Sequence, residues 1–317
     1  MSTNAELATT QLPDGSKADM VFLESSFFRT HGQKQLPTPQ EVRAKSPAPI
    51  HHPQPPPVKF EELGLIVKYG PSVSVAEAQC LWVIKHLLSI KVPVPEVYAW
   101  RVDAGHGFIY MELIYGEPLR DRWDSLVTAE RTAICIHLRE IVNSLREVRQ
   151  DPSEHFVGKP ILNFRTRLAP INWPVGSINQ GPLLDIIFEY QPPAGPFATI
   201  KHFNDWFSQL PQNRLLDTQK YECPYRPFLP DNGAITFTHG DLHRGNIMVS
   251  STNPPQIVAI VDWGQAGWYP DYWEYCKALY TSHYAGTWRQ QWIPMFLDCR
   301  TEEHEVFAEY FVSIGAI

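Results

Sequence analysis

His239, Gly240, Asp241, Leu242, His243, Arg244, Gly245 and Asn246 run together as HGDLHRGN, followed by the apolar triplet Ile247-Met248-Val249 and, after a turn, by Ile260-Val261-Asp262-Trp263. Asp241, Asn246 and Asp262 form the core of this set. A carboxylate can orient an attacking hydroxyl and accept its proton, and Asp241 suits that task. Magnesium is a hard cation that takes a few oxygen ligands from protein alongside phosphate oxygens. The amide oxygen of Asn246 and the carboxylate of Asp262, at the ends of adjacent strands, suit it. The chemistry such a set would serve is phosphoryl transfer, which asks a protein for positioning and charge stabilisation more than for covalent work.

The same residues carry a resemblance. HGDLHRGNIMV followed by IVDWGQAGWYPDYWEY resembles the aminoglycoside phosphotransferase family, its fungal branch especially, and more distantly the protein kinases. The resemblance spans roughly Val58 to the C-terminus and is least informative from Asp151 to Asp231. It implies an α+β, bilobal protein-kinase-like fold, with an antiparallel sheet and one helix in a small N-lobe, a larger and mainly helical C-lobe, and ATP in the cleft. It also implies Asp241 as catalytic base, His239 as support for its loop, and Asn246 and Asp262 as magnesium ligands. Leu65-Ile66-Val67-Lys68, an apolar strand ending in lysine, precedes a helix bearing Glu77. That arrangement resembles the kinase pair in which the lysine holds the α and β phosphates and the glutamate orients it. Tyr110 to Gly116 resembles the family's hinge, implying that the backbone carbonyl of Glu112 and the backbone N–H of Ile114 meet the adenine edge. The implied acceptor is a small hydroxyl compound, since the family takes aminoglycosides, choline, homoserine and other alcohols.

Several residues bear other readings. Ser74-Val75-Ala76-Glu77 is a capping-box pattern, which accounts for Glu77 without any ligand. No GxGxxG precedes Lys68; HHPQPPPVKFEELG offers Gly64 alone. A nucleotide-binding pseudokinase of weak or no activity is therefore one alternative, and a kinase acting on protein Ser or Thr is another. Against the latter, the short span from Asp262 to GWYPDYWEY leaves little room for an activation segment. On an extended strand His239, Asp241 and His243 would share one face and, with Asp262 and His283, could build a hydrolytic metal centre. Gly240 and Gly245 suit a tight loop better, and Asn246 is a poor zinc ligand. His243 and Arg244 fit a solvated loop as well as a site. Asp271 and Glu274 could face a cationic acceptor, whereas the aromatics of GWYPDYWEYCKALY fit core packing.

The elements that must position these residues are legible in outline. VKFEEL, a turn at Gly64 and LIVKY predict a hairpin. The capping pattern at Ser74 starts a helix through Cys80, Ile84, Leu87 and Leu88. KVPVPEVYAW, with two prolines, predicts an edge strand or a turn, and GFIYMELI a buried strand. These make residues 58–115 an N-lobe. In a C-lobe of residues 116–317, Ile134, Leu138, Ile141, Leu145 and Val148 give one apolar face to a helix from Thr128 to Val148. Short helices are predicted near Leu183 and Phe203, strands in ITFTHG and in IMVSSTNPPQIVAIVDW with its turn at Asn253-Pro254-Pro255, and helix thereafter. Residues 1–57, proline-rich and ending in PAPIHHPQPPP, predict a flexible tail in which VFLESSFF could dock.

Composition bounds the rest. A chain of 317 residues exceeds one compact core. Hydrophobic residues at 44% rule out dominant disorder, and a net charge of -7 argues against nucleic acid or an anionic membrane as partner. The five scattered cysteines read as reduced thiols. Without a secretory start or an apolar run of roughly 18 residues, the expected location is cytoplasmic. Oligomeric state is not specified.

Overall fold

The computed structural model describes residues 6–7, 11–32, 34–49, 52–150, 175–213 and 215–315. The chain divides into two compact units of interleaved segments. One comprises Leu12–His137 and His243–Gly264, the other Met1–Gln11, Leu138–Leu242 and Gln265–Ile317.

In the first unit a five-stranded antiparallel sheet runs in the order Asp19–Val21, Val97–Asp103, His106–Glu112, Leu65–Gly70, Val58–Phe60. The hairpin expected around Gly64 is present, in the register Phe60 to Leu65. Successive side chains of a strand point to opposite faces. Leu65 and Val67 therefore enter one core, with Phe27, Leu36, Val42, Tyr98 and Phe108, while Lys68 takes the other face. The Val75–Leu88 helix starts at the Ser74 cap as predicted. A second, three-stranded sheet pairs Ile257–Ile260 with Ile247–Val249 and Ile247–Val249 with Glu117–Pro118.

Two expectations need correction here. The stretch before Val58 is not a tail over residues 12–49: Asp19–Val21 pairs with Ala99 to Arg101, Ser26–His31 and Pro39–Lys45 are helices, and Phe27 and Val42 are buried. The physical reason is that the sheet is apolar on both faces, and these three apolar side chains, Phe27, Leu36 and Val42, cover the one that the Val75–Leu88 helix does not. Val97–Asp103 is consequently an interior strand and no edge. Its prolines, Pro93 and Pro95, lie ahead of it, where they cost the ladder nothing.

The second unit is mainly helical. The Thr128–Glu147 helix enters it at Leu138. Its core is aromatic: Phe203, Phe207, Tyr269, Trp273 and Phe307 pack together, with Tyr269 and Trp273 stacked at 5.3 Å. Its longer helices among the described residues include Ile200–Gln209, Trp273–Tyr280 and Thr301–Ile314. Part of the stretch expected as helix is a strand: Gly267–Pro270 pairs with Ile235–Thr238 before the helix starts. A glycine and a proline at its ends disfavour helix there. The predictions for residues 151–174 lie outside the described residues. The five cysteines are free thiols. Among the described residues no helix is long and apolar enough to cross a membrane.

Candidate active site

Lys68, on the Leu65–Gly70 strand between Val58–Phe60 and His106–Glu112, turns its ammonium toward two acids. Its Nζ donates to Glu77 Oε1 at 2.7 Å and to Asp262 Oδ1 at 2.7 Å. Glu77 is 2% exposed and Asp262 about half exposed. Burial by itself would lower the lysine pKa, but the Glu77 and Asp262 carboxylates outweigh it and raise it to about 12. Burial pushes the Glu77 carboxyl up, with the Lys68 ammonium opposing.

The two readings of Glu77 separate here. The Ser74 hydroxyl accepts the Glu77 N–H at 3.3 Å, which is one half of a capping box. The other half would return the Glu77 carboxylate to the cap backbone, as Glu41 does to Thr38. In Glu77 the carboxylate goes to Lys68.

Asp262 follows the Ile257–Ile260 strand with φ +66°, the left-handed region, which costs an L side chain about 1 kcal/mol. Asn246 is buried, its backbone carbonyl accepting the Val261 N–H at 2.9 Å. The strand pair Ile247–Val249 and Ile257–Ile260 thus brings the residue before one strand beside the residues that follow the other. In the predicted hinge, the Glu112 N–H donates to the Glu96 carbonyl. The Glu96 N–H goes to the Glu112 carboxylate at 3.1 Å, which takes the place of the return bond to the Glu112 carbonyl. The Glu112 side chain also meets Lys85 at 3.4 Å, so its work is structural. Ile114, beyond the strand end, is half-buried.

In the other unit, His239 is fully buried and its Nδ1 accepts the Asp241 N–H at 3.1 Å. The His239 N–H donates to Glu274 Oε2 at 2.6 Å, and the Gly240 N–H approaches the same carboxylate at 3.3 and 3.4 Å. Gly240, at φ +78°, allows the backbone to pass where a Cβ would stand 2.8 Å from the Gln265 carbonyl oxygen. Glu274 and Asp271 are the two acids that could face a cationic acceptor. Glu274 instead grips the loop of Asp241, and Asp271 is paired with Arg300 at 2.5 Å. The hydrolytic metal centre finds no support: His239 and His243 both spend Nδ1 on backbone N–H groups. Nor is there, among the described residues, a group of three or more His, Cys, Asp or Glu able to hold a metal.

A profile of the phosphotransferase enzyme family matches residues 75–310, most of the chain. The chain belongs to that family. Among curated proteins none matches it by sequence. Solved structures similar to this phosphotransferase include the aminoglycoside phosphotransferase APH(4)-Ia, 16% identical over 79% of this chain and 76% of that one, with a TM-score of 0.44. Another is APH(3'')-Id from Streptomyces rimosus in complex with ADP and streptomycin, 15% identical over 81% and 89% of the two chains, with a TM-score of 0.45. Likenesses this distant carry nothing further. Family membership is fixed by the profile, and it makes the chain a transferase of phosphoryl groups.

Proposed function

We propose that this phosphotransferase moves the γ-phosphoryl group of ATP, in the presence of magnesium, to a hydroxyl of a small molecule. The observation that carries the reading is the Lys68 ammonium held 2.7 Å from both Glu77 and Asp262. In it a buried acid fixes a cation and a more exposed acid stands where a ligand would meet it. Lys68 then neutralises phosphate charge on the nucleotide, and Glu77 keeps it in place. The backbone of Glu112 and Ile114 meets the adenine edge.

Asn246 and Asp262 would hold the magnesium. One amide oxygen and one carboxylate are hard donors, few enough to leave positions for water and phosphate oxygens. Bound there, the ion offsets charge on the transferred group. Asp241 orients the acceptor hydroxyl and takes its proton, on a backbone fixed by His239 and Glu274. A small acceptor is favoured over a protein because Asp262 is followed almost at once by the Gly267–Pro270 strand and the Trp273–Tyr280 helix. An activation segment has no room between them.

A second reading, a nucleotide-binding protein of low activity, is favoured by the chain before Val58. Pro53, Pro55, Pro56 and Pro57 lack N–H donors, and Pro55 packs on Gly70, its Cδ 3.0 Å from where a Cβ would stand. That segment cannot cover phosphates with backbone N–H groups as a glycine-rich loop does.

Calorimetry and thermal unfolding with ATP, with and without magnesium, test both. ATP at a hundredfold excess over its dissociation constant should stabilise the protein by about 2.7 kcal/mol. Asp262→Ala should lose most of the magnesium-dependent affinity, whereas Asp241→Ala should bind within about twofold of wild type and transfer nothing to a panel of alcohols. Equal loss of binding in both variants would reject these roles. Binding without turnover in wild type would favour the second reading.

A further inference from the structure

In the mainly helical unit, Lys277 and Asp185 form an ion pair with both side chains fully buried, Nζ standing 2.6 Å from Oδ1. The same ammonium donates to Gln265 Oε1 at 3.0 Å, and the Ile186 N–H donates to that oxygen at 3.1 Å. An ammonium and a backbone N–H can only donate, so the side-chain amide of Gln265 has one allowed orientation. Turned over, it would set its own NH2 group against two donors, one of them charged. Oε1 is therefore committed, and Nε2 carries two protons on the opposite edge. Gln265 is half-buried, and its Nε2 meets no acceptor among the described residues.

That amide stands beside the catalytic loop. A Cβ at Gly240 would lie 2.8 Å from the Gln265 carbonyl oxygen and 3.3 Å from the Gln265 Cβ, so the glutamine side chain starts out against the residue before Asp241. Tyr280 ties the two neighbourhoods together. Lys277 Nζ lies 5.2 Å from its ring centroid, and burial, then the charges of Asp185 and Asp241, push its hydroxyl pKa up. Asp185, Gly240, Asp241, Gln265, Lys277 and Tyr280 all belong to the one unit. The acids of that unit that could have met a cation, Asp271 and Glu274, are turned to Arg300 and to the loop backbone.

We propose that Gln265 is a specificity-determining residue, its Nε2–H2 donating to an oxygen of the acceptor other than the one phosphorylated, with Lys277 and Asp185 as the positioning residues that fix the amide. The acceptor class so selected is a polyol or hydroxy acid and not an amino alcohol. An ammonium offers donors only, and would leave itself and the amide unpaired. The assignment rests on the small-alcohol reading above and adds the kind of alcohol.

Turnover of matched acceptors in which one hydroxyl gives way to an amine, glycerol beside serinol and glucose beside glucosamine, tests it through the ratio of kcat/KM within each pair. Wild type should favour the hydroxyl member. Gln265→Glu keeps an oxygen for Lys277 and Ile186 but presents a second oxygen where the NH2 group was, so the ratio should swing toward the amine by about tenfold or more. Gln265→Met, with neither donor nor acceptor, should lose the preference without reversing it. Calorimetry with magnesium-ADP and melting temperatures, taken on the same proteins, should stay near wild type for Gln265→Met. Equal loss toward both members of each pair is what a purely structural glutamine would give, and it overturns the assignment. A wild type that prefers the amines, or that binds magnesium-ADP and uses neither member of either pair, overturns it too. A wild type that binds no nucleotide overturns the nucleotide reading, and this assignment with it.

Discussion

Glu274 occupies the first turn of the Trp273–Tyr280 helix, between two aromatic neighbours, and its carboxylate accepts the N–H groups of His239 and Gly240. Burial pushes this carboxyl from the usual 4.5 up to about 7, against the pull of the two backbone donors. Because the folded value is the higher one, the folded protein binds the proton more tightly. The contribution to stability is complete below about pH 4.5 and is lost as pH rises through about 7. The whole span corresponds to about 3 kcal/mol. Glu274→Gln should remove this dependence, so urea midpoints taken between pH 5 and 8 should fall more steeply for wild type than for the variant. Parallel profiles would contradict it. The sequence offers Glu274 as a site residue but not its task; its flanks, Trp273 and Tyr275, were the available signal that it points inward. Asp241, Asn246, Asp262 and Lys68 stand out in the sequence because few chemistries use those residue types at that spacing, and the fold brings Lys68 to Asp262 at 2.7 Å. The strained backbone of Asp262 does not, since nothing local in Val261-Asp262-Trp263 demands a positive φ.

Elements whose pattern is local were read correctly: the hairpin through Gly64, the helix opened by Ser74, and the helix of Thr128–Glu147. The Gly267–Pro270 strand escaped because its partner, Ile235–Thr238, lies far back in the chain and only pairing defines it. The same holds for the polar ridge of the Trp273–Tyr280 helix. One turn beyond Glu274, Lys277 is fully buried and donates to Asp185 Oδ1 at 2.6 Å and to Gln265 Oε1 at 3.0 Å. Asp185 also accepts the Trp273 Nε1–H at 2.9 Å, so the segment before the Ile186–Phe188 turn is tied to this helix by a buried ion pair. Truncating one member of such a pair strands the other. Lys277→Met should therefore cost about 3–5 kcal/mol in chemical denaturation, and Asp185→Asn added to it should recover part of that loss. Additive losses in the double variant would mean that the two charges do not depend on each other.

At the scale of the whole molecule, residues 12–49 are where reading by composition failed. Proline content points to disorder, yet Phe27, Leu36 and Val42 seal one face of the five-stranded sheet. A protein lacking residues 1–49 should expose that face and the flank of Val97–Asp103, and should elute from gel filtration as oligomers or aggregates. A monomer of unchanged melting temperature would show the segment to be dispensable. The interleaving of the two units has a consequence in time. During synthesis, Glu117–Pro118 emerges well before its partner Ile247–Val249, with the whole of Leu138–Leu242 made in between. At roughly 5–20 residues per second, that wait is on the order of ten seconds. Lys68 and Glu77 leave the ribosome without Asp262, and the unit that carries them is completed only after most of the other has been translated.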